Sequence, residues 1–174
     1  QDELEARYLG VKGASYPYAL YQEINPSKAI IYFLKDNVKD LNIDPLFTSL
    51  FALEKHLIQY NEMILHCAYM IHNGEAILFS APSETGKTTQ ANLWQKFRNT
   101  RVINGDRSLL SKQDGKWYAN GWPVCGTSEV CFNDSYPIKC IVMLSQAKEN
   151  SVELLDPMTA FKQLYSQITI NTWN

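Results

Sequence analysis

Nine residues, Ala81-Pro82-Ser83-Glu84-Thr85-Gly86-Lys87-Thr88-Thr89, constrain this chain more than any other feature. They follow an apolar run at 76–80 and precede a stretch, 88–97, in which Ala91, Leu93 and Trp94 fall at helical spacing. A strand turning sharply into a helix suits an anion, because the first helical N–H groups lack partners and the helix dipole adds partial positive charge. Apart from its first position the segment fits G-x-x-x-x-G-K-[ST]. Gly86 then allows close backbone approach, Lys87 reaches the β- and γ-phosphates, and the Thr88 hydroxyl ligates magnesium. The expected ligand is a nucleoside triphosphate, ATP with Mg²⁺, held by Ser83, Glu84, Thr85, Gly86, Lys87, Thr88 and Thr89.

Two positions depart from the pattern. Ala81 replaces the first glycine, which is tolerable where φ is negative. Glu84 brings a carboxylate toward the triphosphate, and repulsion at about 4 Å costs about 1–4 kcal/mol according to solvent exposure. Turning the side chain outward would relieve it.

The flanking sequence supplies an α/β frame. Residues 1–28 are polar and broken by Gly10, Gly13, Pro17 and Pro26, so they read as irregular or short-strand structure. The run at 29–34 suits a buried strand. Asp44-Pro45 is expected to open a long helix with one buried face through about Tyr60, Asp44 capping it and Pro45 in its first turn. Apolar segments at 63–71 and 76–80 are joined by His72-Asn73-Gly74-Glu75, a hairpin signal. A short strand at 101–104, two pieces around Asp114-Gly115 and a β-like run at 138–144 follow. Asp156-Pro157 starts a last helix, with Met158, Phe161 and Leu164 on one face. The predicted class is α/β, with a mixed β-sheet and flanking helices in a single domain over 1–174. Within it, 1–60 is an N-terminal extension and 61–174 the loop-bearing core. With Gln1 and Asn174 at its ends, the chain reads as a fragment of a longer protein.

Composition excludes several classes. A net charge of −2 argues against a dedicated nucleic-acid binder, which needs a basic surface. No apolar run approaches the ~20 residues of a membrane span. Cys67, Cys125, Cys131 and Cys140 lack C-x-x-C spacing, so they read as buried free thiols in a cytoplasmic protein. A homo-oligomer is compatible with the sequence.

A phosphate loop needs a metal-holding acid to support phosphoryl transfer. Asp106, closing Arg101-Val102-Ile103-Asn104-Gly105-Asp106, stands at a strand end, where open α/β sheets place ligands. A turn residue after Asn-Gly is the other reading of Asp106. His66 lies in an apolar strand and reads either as a satisfied core histidine or as a site residue. His56 reads as a helix-surface residue and His72 as part of the hairpin turn.

The stretch LHCAYMIHNGEAILFSAPSETGKTTQANLW, followed by RVINGD, resembles the catalytic domain of HPr kinase/phosphorylase and its small relatives. That fold is related to the nucleotide-binding domain of phosphoenolpyruvate carboxykinase. Ser83, Gly86, Lys87 and Thr88 match the G-x-S-G-x-G-K-[ST] loop of these families; Ala81 and Glu84 do not. The resemblance covers residues 63–146. It implies a kinase domain transferring a phosphoryl group from ATP to a hydroxyl, such as a serine of a small protein or peptide, with Lys87, Asp106 and His66 catalytic. Thr88 and Asp106 would hold the metal.

HPr kinase carries two adjacent aspartates where this chain has Asp106-Arg107. Arg107 is therefore either a stabiliser of phosphoryl charge or a surface ion-pair residue. The small relatives carry a G-x-P-x-C-G stretch like the one within residues 121–128, which either faces the ligands or is a plain loop. Two alternatives remain: a non-catalytic or degenerate nucleotide-binding module, and a carboxykinase-type enzyme acting on a small acid. The latter would need an arginine-lined pocket, for which Arg98, Arg101 and Arg107 are available.

Overall fold

In the computed structural model, residues 4–10, 15, 17–25 and 27–170 are described. Gly13 and Pro26, read above as breakers, lie outside them. The chain divides into two compact units, Gln1–His56 and Leu57–Asn174.

The first unit contains a three-stranded antiparallel sheet of β1 (Ala6–Leu9), β2 (Ala19–Asn25) and β3 (Lys28–Phe33), in that order. Its buried residues include Leu9, Ala19, Tyr21, Leu50 and Ala52. The segment expected as a buried strand, β3, is half exposed, because it forms the edge of this small sheet.

The expected long helix is broken. After a 3-10 segment at Lys35–Asn42, α1 (Asp44–Phe51) stops at Ala52, whose φ of 51° is left-handed. The chain resumes as α2 (Leu53–Leu57) and a 3-10 turn, Ile58–Tyr60. Ile43 takes the cap position of α1 with no side-chain cap, and a proline sits in the first turn. The reversal at Ala52 cancels the single apolar face: Ile58 and Tyr60 are exposed. His56 is not a bare surface residue, since its Nε2 lies 2.8 Å from the Tyr21 hydroxyl.

The second unit is a mixed sheet with a few helices. Its elements are β4 (Met63–His72), β5 (Glu75–Ser80), α3 (Lys87–Arg98), β6 (Arg101–Asn104), β7 (Arg107–Gln113), β8 (Lys116–Asn120), β9 (Ser135–Met143) and α4 (Pro157–Tyr165). Asn73 and Gly74, both at positive φ, form the tight turn between β4 and β5. This conformation matches strand twist, and Asn and Gly tolerate it. The ladders close a circuit, β4–β5–β9–β8–β7–β4, in which only the β5–β9 pair is parallel.

The period of two along β4 and β5 sorts two cores. Leu65, Cys67, Tyr69, Ala76 and Leu78 point into one, with Ile103, Leu110 and Ala119. Ala68, Met70, Ile77 and Phe79 face the other, where Ala91 and Trp94 of α3 pack. Leu93, expected on that packed side of α3, is exposed, as are Met158 and Phe161 of α4. Leu164 does pack against the first core. Asp156 caps α4, accepting the N–H groups of Met158 and Thr159. Among the described residues no helix is long and apolar enough to cross a membrane.

Candidate functional site

The long strand β4 builds the site through its two edges. Along one edge β7 pairs with its first half and β6 with its second, so β6 and β7 lie end to end, interrupted at Gly105-Asp106. At that interruption the Cys67 N–H donates to the Asp106 carbonyl at 3.0 Å, while the Asp106 side chain stands beside His66. Along the other edge β5 ends at Ser80, the register partner of Cys67. The Ser80 hydroxyl donates to the His66 carbonyl at 2.8 Å. The chain then turns through 81–86 into α3.

The loop brings several of the expected residues together. Ala81 is buried and is not among the residues at positive φ, the condition its substitution for glycine required. Glu84 is exposed and left-handed, with φ 64°. It occupies the second position where the sequence pattern carries glycine, so a backbone suited to glycine is kept with a carboxylate on it. Gly86 has φ 111° and caps α3. Ser83 and Thr89 are exposed, and Thr85 is half-buried. The Lys87 ammonium is buried and donates to the carbonyls of Ala81 (3.0 Å) and Pro82 (3.1 Å). The Thr88 hydroxyl donates to the Gly105 carbonyl at 3.3 Å, tying the start of α3 to the acid turn.

Asp106 sits between two partners. Its Oδ1 is 3.6 Å from His66 Nε2 and its Oδ2 is 3.6 Å from Arg107 Nε. Arg107 is not a surface residue: its side chain is 16% exposed and its Nη1 donates to the Thr169 hydroxyl at 3.0 Å. Burial, together with the positive charges of Lys87 and Arg107, holds the His66 imidazole below the usual histidine range, and Asp106 only partly offsets this. Burial outweighs one carboxylate at 3.6 Å, so His66 is neutral at pH 7 and its contact with Asp106 is polar rather than ionic. Burial likewise lowers the Lys87 ammonium, against the raising influence of Asp106. Lys87, His66, Asp106 and Arg107 thus share one electrostatic environment at the N-terminus of α3.

Several residues that position this cluster escaped the sequence reading. Asn104, wholly buried, donates through Nδ2 to the carbonyls of Trp122 and Val124, both at 3.0 Å. Its Oδ1 accepts the N–H groups of Asp106 (2.8 Å) and Arg107 (2.9 Å). Alternation offered one signal: Val102 faces the α3 core and Ile103 the other, which turns a polar residue at 104 inward. Gly105 lies so close to Ser128 that a β-carbon there would be 2.4 Å from the Ser128 Cβ. The 121–128 stretch therefore packs on the acid turn, with Gly126 at φ 56° against Asp106. Gln167 and Thr169 come from the far end of the chain. Gln167 Oε1 lies 3.3 Å from His66 Nδ1, and residues 167–169 fill the edge of β4 left open beside β5. No local signal marks them.

Only Cys67 of the four cysteines is buried. Cys125 is half-buried, and Cys131 and Cys140 are exposed, which corrects the expectation of four buried thiols. Cys140 falls at an exposed position of β9, and Cys131 forms an isolated β-bridge outside the named strands. Beside Thr88 runs a cleft of about 500 Å³ lined by Thr88, Asn92, Gln95, Arg101, Ser128 and Phe132. The Arg101 guanidinium lies 4.3 Å from the centre of the Phe132 ring.

Fold and site together define a mixed α/β domain with a polar, cation-rich site at a strand–loop–helix junction. The model of a family described as SynChlorMet cassette protein ScmC matches residues 30–174, and the chain belongs to that family. Among solved structures it is similar to the Hpr(Ser) kinase/phosphatase from Coxiella burnetii, at 13% identity and a TM-score of 0.40. That match covers 55% of this chain and 66% of the other, just under two thirds of its length. The likeness is distant and structural. No curated protein matches the sequence.

Proposed function

We propose that the second unit is an ATP-dependent kinase domain that transfers the γ-phosphoryl group to a hydroxyl acceptor. One observation carries this reading: Lys87, Thr88, His66 and Asp106 meet where the 81–86 loop enters α3. Each member has a part in phosphoryl transfer, which depends on positioning and on neutralising charge rather than on covalent chemistry from the protein. The free N–H groups of α3 and the Lys87 ammonium would receive the phosphates. Lys87, which donates to the Ala81 and Pro82 carbonyls, would exchange these bonds for phosphate oxygens.

The oxygens of Thr88 and Asp106 suit Mg²⁺, which is usually held by one or two carboxylates, with phosphate oxygens and water completing its shell. The metal would supply charge neutralisation at the phosphates. Neutral His66 would accept a hydrogen bond from, or orient, the acceptor hydroxyl. Arg107, beside Asp106, would stabilise charge on the transferring group. The cleft beside Thr88 would give an acceptor room next to the phosphates.

A second reading, nucleotide binding without turnover, draws on the Asp106-Arg107 pair. The guanidinium partly neutralises the lone carboxylate that would hold the metal.

Calorimetric titration of ATP–Mg²⁺ into the chain, with Lys87→Ala as comparator, tests both readings. Saturable binding that weakens at least about 10–100-fold in the variant is expected, the scale of losing charge-assisted hydrogen bonds to phosphate. Absence of binding by folded wild-type protein would overturn both. Binding without phosphate release or transfer to any hydroxyl acceptor would favour the second.

A further inference from the structure

We propose that Cys125 and Cys131 form a reversible intramolecular disulfide that pins the 125–131 loop against Gly105 and Asp106. The fold holds the two residues together from both ends. The Val124 carbonyl accepts from the Asn104 side chain at 3.0 Å, while Cys131 forms a β-bridge with Asn104 itself. One buried residue thus anchors the chain immediately before the first cysteine and at the second. The Phe132 N–H adds a bond to the Ile103 carbonyl at 2.9 Å.

Inside the loop the Ser128 hydroxyl donates to the Cys125 carbonyl at 2.7 Å, and Gly126 adopts a left-handed turn. This folds the segment back and brings the two thiols within interaction range of each other. Both are free, and Cys131 is exposed, so an oxidant reaches it directly. Burial and the neighbouring Cys131 push the Cys125 thiol up, and the more exposed Cys131 is the sulfur that an oxidant meets first.

With a low-molecular-weight disulfide such as oxidised glutathione the chemistry balances. The Cys131 thiolate attacks one glutathione sulfur and releases the first glutathione thiolate. Cys125 then gives up its proton, and its thiolate attacks the Cys131 sulfur of the mixed disulfide, displacing the second glutathione. Two protein thiols are oxidised by two electrons and one glutathione disulfide is reduced to two thiols. In a reducing compartment such a bond is transient and reports redox state. The closed ring contains Gly126 and Ser128, the residues in contact with Asp106 and Gly105, so oxidation acts on the acid turn.

The test needs no nucleotide and is independent of the kinase reading. The whole chain is equilibrated in glutathione redox buffers and mapped by non-reducing peptide mass spectrometry. The thiol count under denaturing conditions should fall by two, with Cys125 linked to Cys131. Cleavage by a glutamate-specific protease after the exposed Glu129 should slow several-fold. Cys125→Ser and Cys131→Ser should each abolish the change, and Cys140→Ser should leave it intact. A protein that stops at glutathionylated Cys131, links through Cys140, cross-links between chains or fails to oxidise would overturn the proposal. So would a disulfide that leaves cleavage at Glu129 unaltered. The wild-type map decides the matter even if a variant folds poorly.

Discussion

The side-chain oxygen of Asn104 accepts the backbone N–H of Asp106 at 2.8 Å, and this bond sets where the acid points. The same side chain holds the Arg107 N–H and two carbonyls of the 121–128 stretch. Leucine, similar in size, would leave four backbone groups without that partner in a buried setting. Asn104→Leu is expected to lower stability by about 3–5 kcal/mol, at the high end for one substitution. Chemical denaturation measures it, and a loss under 1 kcal/mol would remove Asn104 from this role.

Gly105 and Ser128 are in direct opposition. Gly105→Ala drives a methyl into the Ser128 β-carbon and should cost about 1–3 kcal/mol. With Ser128 changed to glycine, the nearest remaining Ser128 atom is the α-carbon at 3.8 Å. The double variant should therefore recover part of the loss, with a coupling energy of at least about 1 kcal/mol. Simple additivity of the two losses would show that the contact is not what requires glycine at 105.

The lowered His66 pKa, caused by burial and by Lys87 and Arg107, ties stability to pH. The unfolded chain takes up this proton near pH 6.5, before the folded chain does. Stability is therefore full above about pH 6.5 and declines as pH falls from there toward the folded pKa. His66→Gln should flatten that decline. Urea midpoints at pH 7.5 and 5.5 for both proteins provide the comparison, and equal slopes would refute the assignment.

Glu84 places a non-glycine residue at φ 64°. Glu84→Gly relieves this backbone cost but loosens the unfolded chain, so a net gain of about 0.5–1 kcal/mol is expected. It also removes a negative charge from the loop. Because Glu84 is exposed, the gain in ATP–Mg²⁺ affinity should not exceed about tenfold. Glu84→Asn separates the two effects, since asparagine tolerates this backbone while lacking the charge. Equal affinity in all three proteins would mean that the carboxylate does not face the ligand.

Much of the second unit was legible because its signals are local. Asn73-Gly74 and Asp114-Gly115 mark hairpins, Asp156-Pro157 starts α4, and the apolar run before Ala81 is β5. The apolar run at 63–71 is the strand β4, although only the folded structure shows that Cys67 and Ala68 enter different cores. Apolar spacing misleads where one residue overrides a pattern. The left-handed Ala52 breaks a helix whose apolar spacing would otherwise run on, and nothing in an alanine announces that conformation.

By itself the sequence determined the turn at 81–86, the helix that follows it and the strand carrying His66, because these depend on short-range spacing and turn chemistry. Only the tertiary structure decided that His66 lies beside Asp106, that Asn104 serves the acid turn, and that Gln167 and Thr169 reach β4 from the other end of the chain. Those contacts arise from strand pairing between distant segments. Their register depends on which faces are buried across the whole closed circuit of strands, which no single stretch of residues encodes.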